Sequence, residues 1–239
     1  MKLVVGTRGS NLALVQTNWV VDQLKKENPG VEFEVKIIKT KGDLIKDLPL
    51  DKIGDKGLFV KEIEKSLLDG EIDMAVHSMK DMPSYLPEGL KFAHSPKRED
   101  PRDALIFKEG YKSLDDLPQG ARIGTGSKRR KYQLLKHRPD LEIVPIRGNI
   151  ETRIKKIETE KLDGVVLAAS GLRRAGLDDK IDYYIPTDIM LPAPAQGILA
   201  LEIREDDKET EKIIDSIKDD ITKIQIDAER GFLIGVNGS

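Results

Sequence analysis

Arginines recur where this sequence passes from β-branched runs into helical periods: Arg8 in GTRGS, Arg129 and Arg130 in IGTGSKRRKYQ, Arg147 and Arg153 in RGNIETR. A guanidinium is a planar fork that matches a carboxylate or phosphate bidentately. A helix N-terminus adds unpaired N–H groups and a partial positive charge. Four consecutive basic residues, Lys128 to Lys131, at such a start stand where cations are unfavourable and call for a counter-charge. The pattern suggests binding of an anion beyond the carboxyl ends of strands.

A second group follows another apolar run, in VHSMKDMP: His77, Ser78, Lys80 and Asp81. Near arginines Asp81 stays ionised, and it could accept N–H bonds or stabilise a developing cation. It could equally pair with Lys80 or cap its own loop. His77 on an apolar strand reads more simply as a packed, hydrogen-bonded residue than as a catalyst.

Composition narrows the alternatives. The 239 residues are 38% hydrophobic and 34% charged, with a net charge of -2, so no global basic field recruits nucleic acid. SKRRK has only Tyr132 as a nearby aromatic and belongs to no recognisable nucleic-acid module. GTGSKRRK lacks the Gly-Lys-Ser/Thr ending of a P-loop. No HExxH, paired-cysteine or acidic calcium-loop pattern occurs, so no metal site is expected. Nor is a membrane span, since the longest apolar stretch, GVVLAASGL, is far too short. No signal segment follows Met1, which suggests a cytoplasmic protein.

The elements that must position these residues follow the α/β pattern of parallel strand–helix–strand units. KLVVGT reads as a strand, and Ser10 or Asn11 caps a helix to about Glu27. EFEVKIIKT, DMAVHS, LEIVPI and DGVVLAAS read as further strands, and LFVKEIEKSLLDG, KRRKYQLLKHR and RGNIETRIKKIETEK as helices. Prolines and charges in SPKREDPRDALI mark a boundary between two domains. Gly6-Thr7 and Gly124-Thr125 stand at equivalent strand ends, one per domain, and two such ends facing each other would form a cleft.

Together the motifs GTRGSNLALVQT, KGLFVKEIE, HSMKDMP, REDPRDAL, IGTGSKRRKYQL, RGNIETR, LAASGLRR and LPAPAQG resemble the porphobilinogen deaminase (hydroxymethylbilane synthase) family, in the family's order and over almost the whole chain. The resemblance implies a transferase of tetrapyrrole and haem biosynthesis that joins four porphobilinogen units head to tail with loss of ammonia. It implies an α/β fold with two periplasmic-binding-protein-like (type II) domains around a central cleft, and a third α+β domain. The expected division is 1–96 with 190–217 for domain 1, 97–189 for domain 2, and 218–239 as a remnant of domain 3. Asp81 matches the family's catalytic aspartate. Arg8, Ser10, Lys56, Ser78, Lys80, Thr125, Ser127, Arg129, Arg130, Arg147, Gly148, Asn149, Arg153, Arg174 and Gln196 match its substrate and cofactor contacts.

The family's dipyrromethane cofactor is tethered to a cysteine that normally follows a segment like ERGFLIGVNG. These residues contain no cysteine and stop at Ser239, so the expectation is a truncated form without bound cofactor and without complete catalysis. Porphobilinogen is the expected small-molecule partner and a monomer the expected state. The alternative is a two-domain carboxylate-binding protein without chemistry, to which a fixed aspartate among arginines would be of little use.

Overall fold

The computed structural model describes residues 1–44, 60–236 and 238. In chain order its elements are β1 (Lys2–Thr7), α1 (Asn11–Glu27), β2 (Glu32–Ile37), α2 (Lys41–Leu44), α3 (Lys61–Leu68), β3 (Met74–Ser78), β4 (Leu90–Phe92), β5 (Asp103–Phe107), β6 (Arg122–Gly124), α4 (Lys128–His137), β7 (Glu142–Val144), α5 (Ile150–Thr159), β8 (Gly164–Ala168), α6 (Ala169–Arg174), β9 (Tyr183–Tyr184), β10 (Leu199–Arg204), α7 (Lys208–Ile214) and α8 (Asp220–Gly235). They form two compact units, Met1–Arg98 with Ile198–Ser239, and Glu99–Gly197.

The first unit holds a sheet of order β2-β1-β3-β10-β4. β1 runs parallel to β2 and β3, whereas β10 is antiparallel to both β3 and β4. α1 starts where Ser10 accepts the Ala13 N–H, and it lays Val20, Val21 and Leu24 against Leu3, Val5, Leu201 and Ile203. The opposite face takes Ile63 and Leu67 of α3 with Ile72, Ala75 and Leu90. Fully burying such a side chain stabilises by about 1.5–3 kcal/mol, which is why α1 and α3 stay on the sheet.

The second unit repeats the plan as β7-β6-β8-β5-β9. β6 is parallel to β7 and β8, and β5 is antiparallel to β8 and β9. Leu134 of α4 packs with Leu105, Ile123 and Val166 on one face, and Ile157 of α5 with Val165 and Leu167 on the other. Both sheets are therefore mixed rather than purely parallel. β5 and β10 are each entered from a connecting segment with no helix, so neither needs the crossover that makes a strand parallel.

Residues 190–197 lie in the second unit, where the Gln196 side chain donates to Pro101 O at 2.7 Å and to Asp103 Oδ1 at 3.0 Å. α8 belongs to the first unit. Asp219 caps it by accepting the Thr222 N–H, and Thr222 Oγ1 accepts the Arg98 N–H at 2.8 Å. Arg98 also forks onto Glu229 at 2.5 and 3.0 Å, and Arg230 donates to Pro83 O at 2.6 Å. Ile221, Ile224 and Phe232 of the same helix are exposed.

Candidate active site

In the first unit the candidate residues collect at the carboxyl ends of β1 and β3, which are hydrogen-bonded neighbours. Arg8 and Ser10 follow β1. Ser78 ends β3, and its hydroxyl and the Gln16 side-chain amide are 3.3 Å apart, tying α1 to that strand end. A short 3-10 turn, Met79–Asp81, follows directly, anchored by buried Met79 and Met82. This turn exposes Lys80 and Asp81. The Asp81 carboxylate has no hydrogen-bond or ion-pair partner among the described residues. Among the described residues neither Lys80 nor a backbone N–H takes it.

His77 is buried one residue earlier, its Nε2 3.1 Å from Glu202 Oε2 of β10. Glu64 of α3 is buried in the same unit. Burial, and then the charge of Glu202, push the Glu64 carboxyl up to about 7, against the opposing pull of Lys61. Gln16, Glu64 and Glu202 carry no signal in the sequence beyond their positions on apolar faces.

In the second unit the parallel strands β6 and β7 end in basic turns, and β8 runs directly into α6, which ends on Arg173 and Arg174. After β6, Thr125 Oγ1 accepts the Ser127 N–H at 3.2 Å, and Ser127 caps α4 by accepting the Arg130 N–H. After β7 come Arg147 and Gly148. Gly148 has φ +117, where an added Cβ would fall 2.6 Å from Thr152 Cγ2, so only glycine fits that turn. Asn149 then caps α5, and Arg153 Nε donates to Gly148 O at 2.7 Å. After β8, Arg174 closes α6 and donates to Gly197 O at 2.7 Å. Burial pulls its guanidinium down to about 10, with Glu99 opposing. Lys56 lies outside the described residues.

The counter-charge for the basic run at α4 is in part the protein's own. Asp103, the first residue of β5 and 0% exposed, faces both arginines. Its Oδ1 accepts from Arg130 Nε at 2.9 Å and from Gln196 Nε2 at 3.0 Å, with Arg130 Nη2 at 2.8 Å, and its Oδ2 accepts from Arg129 Nη1 at 2.7 Å. Burial alone would push the Asp103 carboxyl up, but Arg130 and Arg129 outweigh it and hold it below the ordinary carboxylate range. An acid of the chain itself thus supplies part of the counter-charge that the basic run calls for. The signal was present in REDPRDAL, as an acid opening the apolar strand DALIF.

The comparisons decide the family. Residues 3–212 match the family model described as porphobilinogen deaminase, dipyromethane cofactor binding domain. A porphobilinogen deaminase from Clostridioides difficile is 71% identical over 239 residues, covering all of this chain and 79% of the relative. The Clostridium novyi enzyme of that name is 64% identical, with 80% of the relative covered. This chain belongs to the porphobilinogen deaminase family. Membership makes it a hydroxymethylbilane-synthase-type transferase of tetrapyrrole biosynthesis, from a family that works with dipyrromethane. Among solved structures, the Bacillus subtilis extracellular-binding protein ytmK aligns with TM-score 0.53 at 13% identity, covering 98% of this chain and 95% of that one, which shows the binding-protein-like fold. Among the described residues no helix is long and apolar enough to cross a membrane.

Proposed function

We propose that Asp81 is the catalytic carboxylate of this family member and that the arginines at the helix starts of the second unit take the acetate and propionate groups of porphobilinogen and of the dipyrromethane chain. The Asp81 carboxylate supports this above all, because it is exposed and unpartnered among the described residues at the end of a strand fixed by Ser78, Met79 and Met82. An ionised carboxylate so placed accepts pyrrole N–H bonds. It also stabilises the cation left when ammonia departs, then receives the proton lost after the carbon–carbon bond forms.

The anion contacts are Arg8, Ser10, Ser78 and Lys80 in the first unit, with Lys56 from the undescribed stretch. In the second they are Thr125, Ser127, Arg129, Arg130, Arg147, Gly148, Asn149, Arg153 and Arg174, with Gln196 acting beside Asp103. Dipyrromethane fits this set, because its carboxylates need cationic forks and Arg129 keeps Nε and Nη2 without a partner among the described residues. When bound, that group supplies the pyrrole end to which new units are joined. The protein's own residues hold the carboxylates, orient the rings and keep a negative charge at Asp81. This function requires neither nucleic acid nor a second copy of the chain, and it suits a cytoplasmic setting.

Thermal melts with porphobilinogen test the binding half, and a rise in melting temperature that disappears in Arg129→Gln is expected. Ammonia release from porphobilinogen by the full-length, cofactor-loaded enzyme tests the chemical half, where Asp81→Asn should lower the rate by at least about 100-fold while leaving the fold intact. Unchanged melting with porphobilinogen, or normal ammonia release by Asp81→Asn, overturns the assignment.

A further inference from the structure

The two neighbouring arginines of α4 do not do the same thing. Arg130 is buried and spends its Nε and Nη2 on Asp103 Oδ1, while its Nη1 donates to Val166 O at 3.0 Å. Its side chain ties the first turn of α4 to β5 and β8. Arg129 is a quarter exposed and is held by one nitrogen only, Nη1, which donates to Asp103 Oδ2 at 2.7 Å and to Leu191 O at 2.6 Å. Its Nε and Nη2 have no partner among the described residues. Those two N–H groups lie on the same edge of the guanidinium, the edge that meets a carboxylate with two parallel hydrogen bonds.

Leu191 is itself fixed. Its N–H donates to Gln133 Oε1 at 2.9 Å, and its carbonyl also accepts from Gln133 Nε2 at 3.1 Å. The far end of the Arg129 guanidinium therefore rests on two acceptors that are each held by further hydrogen bonds, one of them charged.

We propose that Asp103 is the positioning residue of the anion site, clamping Arg129 by Nη1 so that its Nε–Nη2 edge stands ready for one ligand carboxylate. This deepens the function proposed above and rests on it. Asp103 touches no ligand and acts through Arg129. A free arginine must give up the rotamer freedom of a long side chain when it binds, whereas a clamped one has given it up already. Asparagine at 103 keeps an oxygen for Arg130 and Gln196 but turns an amide donor toward Arg129, releasing that clamp.

A double-mutant cycle read by porphobilinogen titration distinguishes this from a structural role. Asp103→Asn should weaken binding about tenfold in the native background and less than about twofold in the Arg129→Gln background, because its effect passes through Arg129. Equal losses in both backgrounds, or none in the first, overturn the proposal. If Asp103→Asn does not fold, Gln196→Met, which removes one bond to the same carboxylate, should show the same dependence on Arg129 at smaller size, and an additive loss overturns it likewise. A native protein that does not bind porphobilinogen at all overturns the parent function as well. Binding without the coupling overturns the positioning role alone.

Discussion

Glu202 Oε2 meets His77 Nε2 at 3.1 Å in the interior of the first unit, while its other oxygen, Oε1, is buried with no hydrogen-bond partner among the described residues. A carboxylate so placed is costly to bury, and its charge reaches Glu64, whose proton is retained to about pH 7.

The consequence for stability has a definite sign. Unfolded Glu64 loses its proton near 4.5, whereas in the folded protein it keeps it to about 7, so between those values the native state binds more protons. Stability therefore falls as pH rises through that window and is level above it, by on the order of 3 kcal/mol in all. Glu64→Gln should be more stable than the native protein at pH 8 and close to it at pH 4.5. Urea unfolding at the two pH values measures the difference, and equal responses would remove Glu64 as the cause.

Arg130 and Arg129 should separate in stability as they do in geometry. Arg130→Met leaves buried Asp103 short of its two-nitrogen partner and should cost about 3 kcal/mol. Arg129→Gln should cost less than about 1 kcal/mol, because the residue is partly exposed and Arg130 still neutralises Asp103. Denaturant titration of the two variants checks the order, and a reversed order contradicts the division of roles.

Two neighbouring positions with positive φ should respond oppositely to substitution. At Gly197, φ is +91 and an added Cβ would lie 2.4 Å from Glu99 O, so Gly197→Ala should cost at least about 2 kcal/mol. Ala195 already tolerates φ +59, and Ala195→Gly should change stability by less than about 0.5 kcal/mol. Melting temperatures of the pair are the measurement.

α8 is held by the Arg98–Glu229 fork, by the Thr222 contact and by the Arg230 bond to Pro83 O. Glu229→Gln removes one charge from that fork and should speed amide exchange in Asp220–Gly235 by about tenfold, with β1 and β3 unaffected. Exchange that rises equally across the first unit would mean that the fork holds more than this helix.

The parts legible in the sequence were those written in local periodicity and capping: Ser10 at the start of α1, the helical periods of α4 and α5, and the apolar runs of β1, β3 and β8. Strand direction was not, because whether β5 and β10 run with or against their neighbours depends on how the chain enters each sheet. β9 is two residues long and carries no readable period. In the site, the arginines announced themselves by type and place. Their buried partner did not, because Asp103 lies 26 residues before Arg129 and only the fold brings them within 2.7 Å. Asp81 was legible as a candidate, but that it has no partner among the described residues is a property of the folded chain.

The position of β10 also sets an order of events during synthesis. Among the described residues β4 pairs with β10 alone, and β10 leaves the ribosome about a hundred residues later, after the whole of the second unit. The second unit is continuous in sequence and can close while the first still waits with β3 and β4 unjoined. For that interval the nascent chain displays two strand edges, at β3 and β4, that a single late strand will seal. Release just before Leu199, with the second unit complete and β10 absent, should therefore yield a chain whose second half resists protease while its first half is cut, and which a chaperone that binds exposed strand edges would recognise.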